Sequence, residues 1–342
     1  LPQAISGTLI ALVSNRGDHY LEKGVTVVIR IRRILCPTDL SPESDQALAY
    51  GLALARAYES KLVVCYCASK AASGVGVGAG AVANAEVFNA VSRGREKELF
   101  EGSLVKYLAP VSFADLDWQG IVIEGDDIGE AITQTAAEHH IDLIVMRSRR
   151  RPHRAALLGS IAESVCRTAP CPVLVTHSDE RDWVDQSTGD IAIKRVLVPY
   201  DFSDYSELAL NYALSIAQEY QAELHLLHVL PPSTVREPEI AWYPLDGEAA
   251  YHKAARRLQK AVPAEAHLWC QIKHAVSEGH PYREVLNYAE KNNIDLISIG
   301  AHGAGFGMRA LFGSNVDRVL RQAPCPVLVA RSLKPGNLKN PG

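Results

Sequence analysis

Two stretches of this chain carry residue types able to hold an anion and a sugar. One is Gly300-Ala301-His302-Gly303-Ala304-Gly305-Phe306-Gly307, followed by Leu311-Phe312-Gly313-Ser314. Glycines at 300 and 303 remove Cβ atoms where a backbone must come close to phosphates. Gly313-Ser314 opens a helical pattern whose free N–H groups and dipole attract an anion. The other stretch is Pro199-Tyr200-Asp201, whose carboxylate can accept hydrogen bonds from ribose hydroxyls or from an adenine amino group. Each feature also has a plainer reading. Ser314-Asn315-Val316-Asp317, like Ser160-Ile161-Ala162-Glu163, matches a capping box. Asp201 suits a turn. His302 reads as a solvated loop residue rather than a catalytic base.

These stretches belong to a unit that the chain repeats. Ile31-Arg32-Arg33-Ile34-Leu35-Cys36-Pro37-Thr38-Asp39-Leu40-Ser41 returns as Ile193-Lys194-Arg195-Val196-Leu197-Val198-Pro199-Tyr200-Asp201-Phe202-Ser203, 162 residues on. Ala169-Pro170-Cys171-Pro172-Val173-Leu174-Val175 returns as Ala323-Pro324-Cys325-Pro326-Val327-Leu328-Val329, 154 residues on. The expected organisation is an extension at 1–28, a first unit at 29–178, a linker at 179–190, a second unit at 191–332 and a tail at 333–342. The Gly/Ala-rich stretch 71–85 reads as a loop.

Within each unit short apolar runs alternate with helical spacing. Ile31–Pro37 is strand-like, and Ser41-Pro42 then gives a helix start. Leu208, Ala209, Tyr212, Ala213, Ile216, Ala217 and Tyr220 recur at helical intervals. Further strands are expected at Lys61–Cys67 or Glu223–Val229 and at Asp142–Met146 or Asp295–Ile299. Helices are expected at Ile128–His139 or Tyr282–Asn292. The fold class is α/β: two tandem five-stranded parallel-sheet domains of Rossmann type with helices on both faces. Ligands in such sheets bind beyond the carboxyl ends of the strands, where strand order reverses.

Several chemistries lack their signatures. There is no GxxxxGK[ST] loop, no GxGxxG after a strand, no HExxH and no GxSxG. His225 and His228, three apart in a strand, point to opposite faces and cannot share a metal. The seven cysteines form no CxxC pair. Cys36, Cys65, Cys67, Cys171 and Cys325 lie in apolar runs that read as strands, so buried reduced thiols of a cytoplasmic protein are expected. Cys65 and Cys67 share a strand face, but two thiols alone make a poor metal site. A net charge of −4 gives no basic field for nucleic acid or a membrane surface, and no apolar run has the length of a membrane span.

The combined pattern, Gly300-x2-Gly303-x9-Gly313-Ser314 with Val198-Pro199-Tyr200-Asp201 before it and Ala323–Val329 after it, resembles the universal stress protein family in its tandem form. The resemblance spans the chain beyond residue 28. It implies an adenine-nucleotide-binding, α-hydrolase-like fold and a regulatory role in stress, with ATP, accompanied by Mg2+, as cofactor in the second unit. The residues it assigns are Pro199, Tyr200, Asp201, Val229, Gly300, His302, Gly303, Gly313, Ser314 and Asn315, with Val229 against adenine. Family dimers pair through the last strand, which implies an internal pseudo-dimer through Val173–Val175 and Val327–Val329, open to further homodimerisation and to a protein partner. A slow ATPase, or an interaction module in the first unit, are the alternatives.

The first unit departs from the pattern. Pro37, Asp39, Gly159 and Ser160 remain, but Arg147-Ser148-Arg149-Arg150-Arg151-Pro152-His153-Arg154 replaces the glycine loop and is one residue shorter. Its five arginines could grip an anion directly or form a solvated basic loop.

Overall fold

The computed structural model describes residues 31–39, 41–69, 116–148, 159–177, 180–185, 189–232, 247–303 and 313–331. The Gly/Ala-rich stretch 71–85, the extension 1–28, the tail 333–342 and most of the arginine run lie outside them. The first half carries β1 (Arg33–Thr38), α1 (Pro42–Ala57), β2 (Lys61–Ser69), β3 (Trp118–Gly125), α2 (Ile128–Glu138), β4 (Leu143–Arg147), α3 (Ser160–Thr168) and β5 (Val173–Thr176). The second carries β6 (Arg195–Pro199), α4 (Asp204–Tyr220), β7 (Glu223–Leu230), α5 (Gly247–Ala261), β8 (Ile272–Glu278), α6 (Pro281–Lys291), β9 (Leu296–Gly300), α7 (Ser314–Gln322) and β10 (Val327–Ala330), with a short 3-10 turn at Ala264–Leu268.

The strands make one ten-stranded sheet in the order β3-β2-β1-β4-β5-β10-β9-β6-β7-β8. Within each half every pairing is parallel. The chain runs outward from β1 to β3, or from β6 to β8, and then returns to the other side of the first strand. The order therefore reverses between β1 and β4, and again between β6 and β9. Only β5 and β10 pair antiparallel, as Val327↔Val175, Leu328↔Leu174 and Val329↔Val173. Leu174 and Leu328 are counterparts in the repeat, so this register has a local twofold axis between them.

Alternation along the strands feeds two apolar clusters, one on each face. Ile34, Cys36, Val196 and Val198 join the helices α1, α4 and α5 on the first face. Leu35, Leu197, Ile144 and Ile297 join α2, α3, α6 and α7 on the second. Both clusters run through both halves, so the halves share their cores rather than packing as separate bodies. Carboxylates repeat the same detail in each half. Asp142 Oδ2 accepts from the N–H groups of Arg32 and Arg33, and Asp295 Oδ2 accepts from those of Lys194 and Arg195. Each fastens the start of a first strand to the start of a fourth.

Two details were not expected from the sequence. Within the segment expected as a linker, Trp183 and Val184 are buried in the first-face cluster, and Val184 bridges to Ile191. Trp183 packs edge-on against Tyr50 at 4.4 Å between ring centroids. Cys171 and Cys325 lie in the turns before β5 and β10 rather than in strands, because Pro172 and Pro326 delay the ladder. The cysteines are unpaired, and all but the half-buried Cys67 are buried.

Candidate functional site

The end of β6 turns sharply into α4. Phe202 takes a left-handed φ of 65°, an uncommon state for a bulky residue. Packing holds it there. Tyr200 stands edge-on at 5.2 Å, His228 lies 4.7 Å away, and the Arg257 guanidinium lies 3.7 Å above the ring. The His228 Nδ1–H donates to the Tyr200 carbonyl at 2.7 Å. This turn carries Asp201 to the carboxyl edge of the sheet, at the reversal between β6 and β9.

Asp201 is a turn residue with one oxygen toward the glycine loop. Its Oδ1 accepts from the Ser203 N–H at 3.1 Å and from the Ser203 hydroxyl at 2.5 Å, which is a turn bond. Its Oδ2 lies 2.9 Å from where a Cβ on Gly303 would stand. The carboxylate is thus fixed by one oxygen and presented to the glycine loop with the other. Ser203 also caps α4 by accepting from the Ser206 N–H at 3.2 Å. Sequence reasoning did not single out Ser203, although the Asp-x-Ser spacing occurs in both copies.

The glycines divide in role. Gly300 ends β9 in the core, and a Cβ there would stand 2.6 Å from the Tyr205 carbonyl oxygen. Its bare backbone lets α4 close onto β9, a packing role beside the one expected for it at phosphates. Gly303 has no such neighbour: among the described residues only Asp201 comes within 4 Å of its added Cβ. Gly313 lies against the Ala301–His302 backbone, with Ala301 O 3.8 Å and the His302 Cα 3.9 Å from its added Cβ. These contacts draw β6, the loop after β9 and the start of α7 together.

At α7 the capping-box reading fails. The N-cap is Gly313, without a side-chain hydrogen bond, and Ser314 is already the first helical residue. Ser314 and Asn315 are exposed, so the serine hydroxyl and the first N–H groups of α7 face outward. The same holds in the first half, where Gly159 caps α3 and Ser160 is its first residue. Val229 is half-buried on the same sheet face as Ala301 and Val316, one strand over from Asp201. Pro199 ends β6 in register with Leu227.

Two site residues differ from expectation. Tyr200 turns its ring into the core and donates its hydroxyl to Glu207 at 2.6 Å. Burial, and then the Glu207 carboxylate, push its phenol well above the usual range. Only its backbone reaches the edge. His302 is not solvated: it is half-buried edge-on to Tyr205 at 5.0 Å, and its Nδ1 is buried without a partner among the described residues. Burial, and then the charge of Arg331, hold its pKa below the ordinary 6.5. His225 and His228 face opposite sides of β7, one toward Tyr288 and the other toward Phe202.

In the first half Asp39 is held more tightly. Its Oδ1 accepts from the Ser41 N–H, the Ser41 hydroxyl and the Ser44 hydroxyl, at 3.1, 2.6 and 2.5 Å. Pro37 ends its run in register with Cys65. Arg147 takes the place of Gly300 and donates to Gln46 at 3.3 Å, and Ser148 is buried where Ala301 lies in the second half.

A reversal point with an acid and a glycine-capped helix start, made twice on one sheet and joined by a glycine loop in the second half, is a specific arrangement. The sequence profile of the universal stress protein family matches residues 30–177 and again residues 192–331. The chain belongs to the universal stress protein family. It carries the family's domain in tandem. It is 33% identical to a universal stress protein of Methanocaldococcus jannaschii over 147 residues, which is 43% of this chain and 86% of that one. A universal stress protein of Mycobacterium tuberculosis is 31% identical over 202 residues, 58% of this chain and 65% of that one. The crystal structure of a universal stress protein from Archaeoglobus fulgidus covers 87% of this chain and 96% of its own at a TM-score of 0.60, with 24% identity, which is a likeness of fold. No helix among the described residues is long and apolar enough to cross a membrane.

Proposed function

We propose that the second half binds an adenine nucleotide, ATP in the first instance, and that the chain acts as a nucleotide-responsive regulator rather than a fast enzyme. The observation that carries this reading is the fixed Asp201 carboxylate with Oδ2 directed at Gly303, beside a helix start whose serine has no capping duty. Asp201 Oδ2 would accept from ribose hydroxyls. The loop at His302–Gly303 and the N–H groups of Ser314 and Asn315 would meet the phosphates, where the helix dipole favours negative charge. Val229 offers an apolar surface on the same sheet face for the base. Pro199 and Gly300 act by shaping the strand ends, and Mg2+ would ride on the phosphates. The first half, with Arg147 at the place of Gly300 and a triply engaged Asp39, is read as having lost this ligand or changed it. The β5–β10 pairing makes the two halves one pseudo-dimeric unit, through which occupancy of one half reaches the other.

Calorimetric titration of the full chain with ATP, with and without Mg2+, tests the reading. One nucleotide per chain is expected, and Gly303→Asp should abolish binding by setting a second carboxylate against Asp201. A folded wild-type chain that takes up no nucleotide at millimolar ATP overturns it. Phosphate release followed in the same samples tests the hydrolase alternative, for which His302, held neutral at pH 7, is the nearest base.

A further inference from the structure

Arg331 follows β10 at the ligand edge of the second half. The register Ala330↔Gly300 brings it level with Ala301, at the start of the loop that carries His302 and Gly303. Its carbonyl accepts from the Tyr212 hydroxyl at 3.3 Å. Its guanidinium donates to the carbonyls of Arg167 and Ala169, the latter at 2.7 Å, and its Nε–H is buried without an acceptor among the described residues. The end of α3 supplies only partial negative charge. Among the described residues no carboxylate pairs with Arg331: the acidic groups that act on it are two thiols and a phenol, those of Cys166, Cys171 and Tyr205. Burial is the larger influence and pulls its pKa below the usual arginine range. Buried charges are ordinarily paired, and a buried donor without a partner is uncommon enough to require an explanation. The repeat shows a compensated version of the same place. The counterpart of Arg331, 154 residues earlier, is His177. Its Nδ1 stands 3.4 Å from a Glu180 carboxylate oxygen, with both side chains buried. The same offset carries Glu180 to Lys334, a second base rather than an acid.

We propose that Arg331 is a specificity-determining residue of the second-half site, whose uncompensated charge selects phosphate-bearing adenine nucleotides over adenosine. The inference rests on the nucleotide reading above and names what that site discriminates. Adenosine carries the same base and ribose, so Val229 and Asp201 would serve it equally, and only the phosphates tell the ligands apart. The loop at His302–Gly303, where those phosphates would lie, feels this cation: after burial, the charge of Arg331 is what lowers the His302 pKa. The His302 Nδ1 is likewise buried without a partner among the described residues. Both ends of the guanidinium are engaged by the first half, so Arg331 acts through its charge and its Nε–H rather than as a fork on phosphate. At the effective dielectric of a part-buried site, an anion beside such a group gains on the order of tenfold in affinity.

Calorimetry on the full chain with ATP and with adenosine tests it. The wild-type chain should hold ATP at least about tenfold tighter than adenosine. Arg331→Gln should weaken ATP by about tenfold and leave adenosine unchanged, so that the gap narrows. Arg331→Lys keeps the charge while losing the fork to α3, and it should keep most of the preference even where it costs stability. If Arg331→Gln does not fold, Arg331→Met removes the same charge and carries the same expectation. A merely structural role would weaken both ligands together, in the neutral variant and in Arg331→Lys alike. That outcome overturns the proposal. So does a folded neutral variant with unchanged ATP affinity, or a wild-type chain that holds ATP and adenosine equally well; in each of these the nucleotide site itself stands. A folded wild-type chain that takes up neither ligand overturns the nucleotide reading, and this inference with it.

Discussion

A methyl group at Gly300 would meet the Tyr205 carbonyl oxygen at 2.6 Å and its carbonyl carbon at 2.7 Å, all of it backbone. At Gly303 the same group would meet one oxygen of Asp201 at 2.9 Å, a side-chain atom. The consequences should separate. Gly300→Ala must push α4 away from β9 and should cost roughly 1–3 kcal/mol of stability, as overpacked cores do. Gly303→Ala should change stability by less than about 0.5 kcal/mol yet weaken nucleotide binding, since it displaces the carboxylate that the ligand would use. Urea unfolding and calorimetry on the two variants check this; equal losses of stability would show that Gly303 also serves packing. The spacing of the glycines singled out the loop, but it could not tell tight packing at Gly300 from open space at Gly303. A glycine records that a neighbour needs room and not which neighbour. Asp201 was legible as an acid suited to a turn at a strand end, but its division between Ser203 and Gly303 was not, because it depends on a turn that Phe202 makes against its usual backbone preference. The inward turn of the Tyr200 ring was not legible for a related reason: one step along a strand end changes the face, and the Glu207 partner lies on the next helix.

At the scale of elements, the seam rests on more than three pairs of strand residues. Arg331, just past β10, donates to the carbonyls of Arg167 and Ala169 at the end of α3, the latter at 2.7 Å. Arg181 donates its backbone N–H to the Pro324 carbonyl at 2.7 Å and its guanidinium to the Ile294 carbonyl. One arginine from the second half and one from the segment between the halves thus satisfy carbonyls that a helix end or a turn leaves open. Hydrogen bonds from a charged group are worth about 1.5–3 kcal/mol when removal strands their acceptors. Arg331→Ala should accordingly lower the stability measured by urea by about 2 kcal/mol. Arg331→Lys should recover part of the loss, because an ammonium cannot reach both carbonyls with the fork of a guanidinium. If Arg331→Ala leaves stability unchanged, β5–β10 alone holds the halves. Strands, helices and their order were legible, since apolar alternation and helical spacing are local. Trp183 was not. A single aromatic in a polar stretch has no period, and only the seam gives it somewhere to go.

For the whole molecule, the shared cores make the two halves unfold together, so a strain placed in one is felt by both. Acid supplies such a strain through three histidines of the second half. His225, His274 and His302 all have pKa values held below the ordinary 6.5, in each case first by burial. In His225 the Glu223 carboxylate opposes that effect without overcoming it. Its Nδ1 is engaged with the Tyr288 hydroxyl at 3.0 Å. For His274 the second cause is His267, and for His302 it is Arg331. The unfolded chain takes up protons on these residues as pH falls through 6.5, while the folded chain resists. Stability therefore rises with pH where the unfolded state binds more protons. It should be fully present above about pH 6.5 and be lost progressively below it, before most carboxylates titrate. Urea midpoints measured from pH 7.5 down to pH 5 should fall with a positive dependence on pH. His274→Gln, which removes one such group at the edge strand β8, should make the fall shallower without changing the stability at pH 7.5 by more than about 0.5 kcal/mol. A midpoint that stays level or climbs as the solution is acidified would mean that the folded chain accepts these protons as readily as the unfolded one. Burial would then not be governing the three histidines. The same titration repeated with ATP separates His302 from the others. A ligand whose phosphates lie beside that imidazole favours its charged form, so the acid loss should shrink when nucleotide is bound, and it should not shrink in Gly303→Asp.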